Sequence, residues 1–513
     1  MKSNNNLINL SIFLIFVFYA SSSIILLSYS STDGFINPDS AEYLRLSERI
    51  LSGHGFFVPT SGRIEEGQET LFAVWPIGYS SLIAIVALLS GLSSFAASKV
   101  LNCFLITIAI YALFRKFNIN GLIAATILLT AGTLKIYTMT WAESAFITSL
   151  IVLIVYILSI FDGKIKFNFI ACLCLLILSV LPFLFRYIGI FVSAPLLIFS
   201  FYMYSLNRRS DGIKIAVIAI SAFLICIIYF NINIHFTGHK TGILRAPAPE
   251  SYSIWFRVLA TAIAHEFILI APNWSFDFAW LPDFAKKGNN TSYFLAASML
   301  WFVSALFFGY LLVNKLLKHK FIIPNLSSFV FILFGLIYIF AICYARWIAH
   351  FNLFFYRTLD PGFSLIFIGV ILWLLQYGKN VKKIIVLFLS ISISLVAFMN
   401  IYLVHGGFSS GLTYKHTIQS LNEMYSELPD NATVLFGDDH LRYLKPNIRL
   451  VFPKIPFNSA PELFDEMLSS LSPDVNLYIE NGENFNDLWR YDASFKAAVK
   501  NYPINKVSKY EIK

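Results

Sequence analysis

The run WPIGYSSLIAIVALLSG, residues 75–91, decides how this chain is threaded. It is apolar enough to pass for a membrane span. Yet it is short, opens with Trp75-Pro76 and carries Gly78, Tyr79, Ser80 and Ser81. Eleven further apolar runs surround it: 7–29, 97–114, 119–140, 143–161, 167–185, 187–206, 213–233, 293–314, 321–343, 359–377 and 383–404. If residues 75–91 cross, the basic loops fall on alternating sides. If they lie at the outer interface or re-enter, all the basic clusters reach one side: Arg115-Lys116, Lys164/Lys166, Arg208-Arg209/Lys214, Lys315/Lys318/Lys320 and Lys379/Lys382/Lys383. Lys and Arg concentrate in short cytoplasmic loops, so the second threading is expected, with about eleven spans and the C-terminus outside.

Composition supports a polytopic helical membrane protein. The 513 residues are 57% hydrophobic and 13% charged, and include 51 Phe and 26 Tyr. A soluble domain carries about a quarter charged residues. Mean hydropathy is +0.69. The net charge of +9 resides in loop clusters, with no long basic tract, so nucleic acid is not an expected partner. Residues 7–29 are longer than the ~7–15 residues of a signal-peptide core and read as an uncleaved first helix with Lys2 inside. The inner (cytoplasmic) membrane is the expected location. Cys103, Cys172, Cys174, Cys226 and Cys343 all lie in apolar runs, so no disulfide framework is expected.

This threading puts nearly all the polar chemistry outside. The outer face collects loops 30–96, 234–292 and 344–358, the turns at Trp141–Glu143 and Arg186, and the tail 405–513. The tail is polar and alternates strand-like ATVLFGDD, IRLVFP and VNLYIEN with helix-like HTIQSLNEMYSEL and APELFDEMLSSL. It reads as a small α/β domain following a membrane domain of residues 1–404.

The first outer loop contains FINPDSAEYLRLSERILSGHGFF, residues 35–57. Pro38 precedes an amphipathic helix over 40–52. Asp39 or Ser40 suits its N-cap, and Glu42 gives a capping-box-like spacing. Tyr43, Leu46 and Ile50 form one face, with Glu42, Arg45 and Arg49 on the other. By local pattern alone, Asp39 is as well explained by capping as by chemistry. Arg186 lies between apolar stretches at the membrane boundary, where a charge needs a partner or a polar cavity. Arg245, Arg346 and Arg357 are further outer-side cations, and guanidinium forks suit phosphate oxygens. Asp438-Asp439-His440 reads as a strand-end turn rather than a metal site, and His54 as a loop residue. No P-loop, dinucleotide fingerprint or zinc spacing is present in the sequence.

One order of motifs resembles the GT-C superfamily of polyprenyl-phosphate-sugar glycosyltransferases. Its nearest branches in pattern are bacterial relatives of protein O-mannosyltransferases and of the lipid A aminoarabinose transferase. The order is an apolar helix, an outer-loop Asp39 beside a YLRLSERILSGHGF helix, WPIGYSSLIA, WAESAF and then Arg186-Tyr187. The resemblance implies sugar transfer from a lipid-phosphate donor to an acceptor hydroxyl (glycan, lipid or protein) with inversion at the anomeric carbon. It implies Asp39 as the catalytic base and Glu143 as a second acidic residue on the same face. Many members have two adjacent acids in the first loop. Here Ser40 follows Asp39, and Glu42 is the nearest candidate to share the work. Arg357, in YRTLDP, falls where relatives carry an Arg-Tyr-Pro arrangement. The resemblance leaves a divalent cation between Asp39 and Glu143 open. It is set against two other classes, an O-antigen polymerase or ligase and a lipid-linked sugar flippase. The former place their key loop late in the chain; the latter want charges deep in several spans.

Overall fold

Residues Gly78–Ser90 form a helix of 13 residues that stops at Gly91 in the left-handed region, φ 69°. At 1.5 Å per residue it reaches about 20 Å, short of the ~30 Å hydrocarbon core. It packs on neighbouring helices instead. A Cβ on Gly78 would lie 2.5 Å from the backbone oxygen of Leu184, so the close approach requires glycine. The structure is a computed structural model. It describes residues 2–59, 69–242, 259–260, 290–318, 322–348, 356–411, 413–426, 428–435, 440–451, 477–480 and 504–507.

The helices are α1 (Lys2–Ser30), α2 (Pro38–Leu51), α3 (Gly78–Ser90), α4 (Ser94–Phe117), α5 (Ile119–Ala125), α6 (Ala131–Thr138), α7 (Ala142–Phe161) and α8 (Phe169–Phe185). They continue with α9 (Ser193–Ser205), α10 (Arg209–Thr237), α11 (Asn290–Leu316), α12 (Leu326–Ile348), α13 (Tyr356–Leu374), α14 (Lys379–Ser409), α15 (Tyr414–Met424) and α16 (Leu441–Leu444). Among the described residues, nine helices are long and apolar enough to cross a membrane. Each of the eleven runs expected to span contains a helix. The two outside the nine are the pair Ile119–Leu129 and Ala131–Thr138, bent by 71°, and the shorter α8. The bend falls at Thr130, whose ψ of 159° takes the backbone out of the helical region.

Helix α7 runs through the middle of the bundle, and Phe146, Ile147, Leu150 and Ile154 are fully buried. Other helices cover most of its surface. Its 20 residues span about 30 Å. The far end of α7 gathers the basic clusters. Lys116 Nζ meets Asp162 Oδ2 at 2.7 Å, and Arg208 Nη1 donates to the Phe161 carbonyl at 2.7 Å. Lys214 Nζ donates to the Phe167 carbonyl at 2.9 Å, and Lys382 Nζ to Asn120 Oδ1 at 2.9 Å. Clusters far apart in sequence thus share one end, as expected if residues 75–91 do not cross. Glu143 lies at the other end of α7.

A hairpin of β1 (Phe57–Pro59) and β2 (Glu69–Leu71) follows α2. In the tail, β3 (Thr433–Leu435), β4 (Arg449–Val451), β5 (Leu477–Glu480) and β6 (Ile504–Val507) form a parallel sheet in the order β4-β3-β5-β6. The first three fall inside the strand-like runs, and α15 overlaps HTIQSLNEMYSEL. The APELFDEMLSSL run lies outside the described residues. All five cysteines are free.

The charged side of α2 is not a solvated face. Arg45 and Arg49 are 3% and 1% exposed. Arg45 donates to the carbonyls of Pro446 and Ile448 at 3.1 and 2.7 Å. Arg49 reaches the Phe57 carbonyl at 2.9 Å, Asn447 Oδ1 at 2.5 Å, and Glu69. The charge density of this helix therefore holds the tail. Such buried guanidiniums are tolerated only because carbonyl oxygens and a carboxylate replace their water.

Candidate active site

Asn37, not Asp39 or Ser40, caps α2. Its Oδ1 accepts from Ser40 N at 2.9 Å and Ser40 Oγ at 2.8 Å, with Pro38 opening the helix. Pro at the first helical position marks the preceding residue as cap, and the Asn37-Pro38 pair already carried that signal. Asp39 is thereby free of capping, and its carboxylate pairs with Arg357 on α13. Glu42 completes no capping box. It pairs with Arg442 of α16 and lies 3.9 Å from Arg45. Its carboxylate belongs to the contact with the tail, away from Asp39's ion pair.

Glu143 occupies the first turn of α7 and is nearly buried. Its Oε1 meets Arg186 Nη1 at 2.5 Å and lies 3.9 Å from Arg357 Nε. Four side chains from α2, α7, the end of α8 and α13 thus alternate in sign: Asp39, Arg357, Glu143, Arg186. The first pair is about a quarter exposed, and the second lies beneath it. Trp141, read in sequence only as part of the outer turn before Glu143, joins them. The Arg357 guanidinium carbon lies 4.8 Å from the centre of its ring, and its Nε1 donates to Asn37 Oδ1 at 2.9 Å. Trp141 therefore links the cap of α2 to the shared cation, with a cation–π contribution on the order of 1 kcal/mol. Burial pushes the Tyr43 phenol well above its ordinary pKa, and the Glu143 and Asp39 carboxylates push it the same way. Tyr43 therefore remains a neutral hydroxyl beside the cluster.

Arg186 is placed by a backbone reversal. The residue is extended, φ −145° and ψ 132°, directly after α8, and Gly189 N donates back to its carbonyl at 2.7 Å. A Cβ on Gly189 would lie 2.3 Å from Phe183 N and 2.4 Å from the Pro182 carbonyl carbon. Gly189→Ala is expected to destabilise the protein by about 1–3 kcal/mol, the usual cost of overpacking. A thermal midpoint in detergent equal to that of the parent would refute this.

Arg346 is buried in the last turn of α12. Arg245 lies outside the described residues, as do Asp438 and Asp439. His440 Nε2 is 3.2 Å from the Asp33 carbonyl, and His54 Nδ1 is 3.7 Å from Glu69. Among the described residues, no group of three or more His, Cys, Asp or Glu could hold a metal ion. The donor set at the site does not fit a divalent cation either. Asp39 and Glu143 both face Arg357, so a cation between them would lie against a guanidinium.

No family model matches the chain, and no curated protein does. Solved structures similar to it include ArnT from Cupriavidus metallidurans, bound to undecaprenyl phosphate. That likeness has 10% identity, covers 96% of this chain and 94% of that one, and has a TM-score of 0.48. The oligosaccharyltransferase from Archaeoglobus fulgidus is similar at 14% identity and a TM-score of 0.47, over 87% of this chain. The chain spans 64% of that protein's length. These are GT-C glycosyltransferases, the group that the first-loop motifs resemble.

Proposed function

We propose that this chain is a membrane glycosyltransferase of the GT-C type. It moves a sugar from a polyprenyl-phosphate-linked donor to an acceptor hydroxyl at the outer face of the cytoplasmic membrane, in the synthesis of an envelope glycan, glycolipid or glycoprotein. The observation that carries the reading is the alternating cluster of Asp39, Arg357, Glu143 and Arg186 at the bundle end opposite the basic loops. By the rule that basic loops face the cytoplasm, that end is the outer one, and the tail 405–513 is an extracytoplasmic domain docked on α2.

The acceptor oxygen attacks the anomeric carbon as the bond from that carbon to the phosphate oxygen breaks. The bonding pair leaves with the phosphate, and the acceptor proton passes to Asp39. A single displacement inverts the anomeric centre. The charge changes balance inside the site: phosphate gains one negative charge while Asp39 loses one. Arg357 faces both, so donor phosphate competes with Asp39 for its guanidinium. Phosphate binding loosens the ion pair and frees the carboxylate to act as base. Glu143 holds Arg186 and the inner side of Arg357, which keeps both forks aimed while Asp39 changes partner.

The test is release of undecaprenyl phosphate by proteoliposomes from undecaprenyl phosphates carrying mannose, glucose or aminoarabinose, with envelope lipid extract as acceptor. Release from at least one donor above the Asp39→Asn background is expected. No release from any of them rejects the reading. Orientation is tested separately: a cysteine at position 39 that labels solely from the cytoplasmic side overturns the placement.

A further inference from the structure

Asn102, in the middle of α4, is fully buried and uses every hydrogen-bonding position of its amide. Its Nδ2 donates to the carbonyls of Tyr137 and Met139, both at 2.8 Å. Its Oδ1 accepts from Tyr79 Oη at 2.9 Å and Ser144 Oγ at 2.8 Å. One side chain therefore ties together α3, α4, the end of α6 and the first turn of α7. Neighbouring positions on α4 reinforce the same stretch. Lys99 Nζ donates to the Thr138 carbonyl at 2.7 Å, and Ser98 Oγ lies 2.9 Å from Thr140 Oγ1.

The anchored stretch is the short connection that carries the site. Residues 137–139 end α6, where helix carbonyls have no partner in their own helix. Ser144 follows Glu143 directly. Between the Met139 carbonyl and Ser144 Oγ lie Trp141, which contacts Arg357 and Asn37, and Glu143, which holds Arg186. A leucine at position 102 could fill the space, but it would strand the Tyr137 and Met139 carbonyls and the Tyr79 hydroxyl in a dry interior, leaving Ser144 only the Trp141 carbonyl at 2.8 Å. The connection would then move to find other partners.

We propose that Asn102 is a positioning residue: it fixes the register of residues 137–144, and through them the placement of Trp141 and Glu143 against Arg357 and Arg186. The inference rests on the glycosyltransferase reading for its effect on rate, but not for its effect on structure. Asn102 touches no reacting group, so its loss lowers turnover through misalignment. A displacement of about 1 Å can cost on the order of 100-fold in rate.

Two readouts test this on the full-length protein. Hydrogen exchange by mass spectrometry is expected to show peptides covering 137–146 slowly exchanging in the parent and at least tenfold faster in Asn102→Leu, with α12 unchanged. Turnover per folded molecule, on whichever of the three undecaprenyl-phosphate sugars supports release, is expected to fall about 10–100-fold while KM for the donor stays within about threefold. Ser144→Ala removes only the hydroxyl that Asn102 Oδ1 and the Trp141 carbonyl share, each at 2.8 Å, and serves where Asn102→Leu does not fold. It is expected to lower turnover about three- to tenfold with the thermal midpoint nearly kept. Parental turnover in the folded variants overturns the proposal, as does faster exchange spread evenly over the bundle. Local exchange at 137–146 in a protein whose parent releases no undecaprenyl phosphate rejects the enzymatic reading and leaves the anchoring intact.

Discussion

Asp39→Asn is expected to lower sugar transfer by about 10²–10⁴-fold, the range that a positioned general base contributes. The substitution keeps the size of the side chain and its place on α2, which Asn37 rather than Asp39 caps. It removes the group that takes the acceptor proton and the negative charge that faces Arg357. Donor binding should survive, because the phosphate then meets a guanidinium with one fewer competitor. The comparison is between turnover in proteoliposomes and undecaprenyl phosphate affinity in detergent. Lost turnover with kept or improved affinity is the expected pair of results, and full turnover removes Asp39 from the base role. Glu42→Gln is the companion variant. Glu42 pairs with Arg442 and not with the site cations, so its effect should appear in the docking of the tail rather than in the transfer step.

The second large effect is expected at Arg357. Arg357→Ala removes the one cation among the described residues that faces both Asp39 and Glu143, and the ring contact with Trp141. Turnover is expected to fall by about 10³-fold, comparable to loss of a principal electrostatic stabiliser. Unlike Asp39→Asn, undecaprenyl phosphate binding should weaken by at least tenfold. Arg357→Lys separates charge from shape. Lysine restores a positive charge but not the planar fork that spans two carboxylates and stacks on an indole. It should recover binding more than turnover. If Arg357→Ala retains parental affinity for undecaprenyl phosphate, the phosphate lies elsewhere and the assignment of this guanidinium is wrong.

Both predictions use one reading of the site: charges that neutralise each other at rest and exchange partners when phosphate enters. Arg186 and Glu143, lower and more buried, form the fixed half, while Asp39 and Arg357, closer to solvent, form the half that changes. Burial explains the division. An ion pair deep in the bundle is costly to break because each partner would be left with an uncompensated charge. A pair that keeps contact with water can exchange at low cost.

Much of this protein was legible in its residues because the relevant physics is local. Apolar run length and the placement of Lys and Arg gave the class and an expected threading, since hydrocarbon thickness and loop charge act on contiguous segments. The same local signals marked Arg186 as a charge between apolar stretches, whereas the motif resemblance singled out Asp39, Glu143 and Arg357. Local reasoning failed where two partners far apart in the chain decide the outcome. The charged side of α2 reads in sequence only as the polar face of an amphipathic helix, yet Glu42, Arg45 and Arg49 meet residues some four hundred positions later. Asp39 looked as much like a cap as a base until Asn37 was seen to take the cap. Asn102 is one polar residue in an apolar helix, and nothing nearby in sequence shows that four partners from three other elements saturate it. Sequence alone determined that charge would be carried to the ends of a membrane bundle. Only the tertiary structure decided which charges meet, because an ion pair needs atoms within a few ångströms and sequence spacing does not measure that distance across helices.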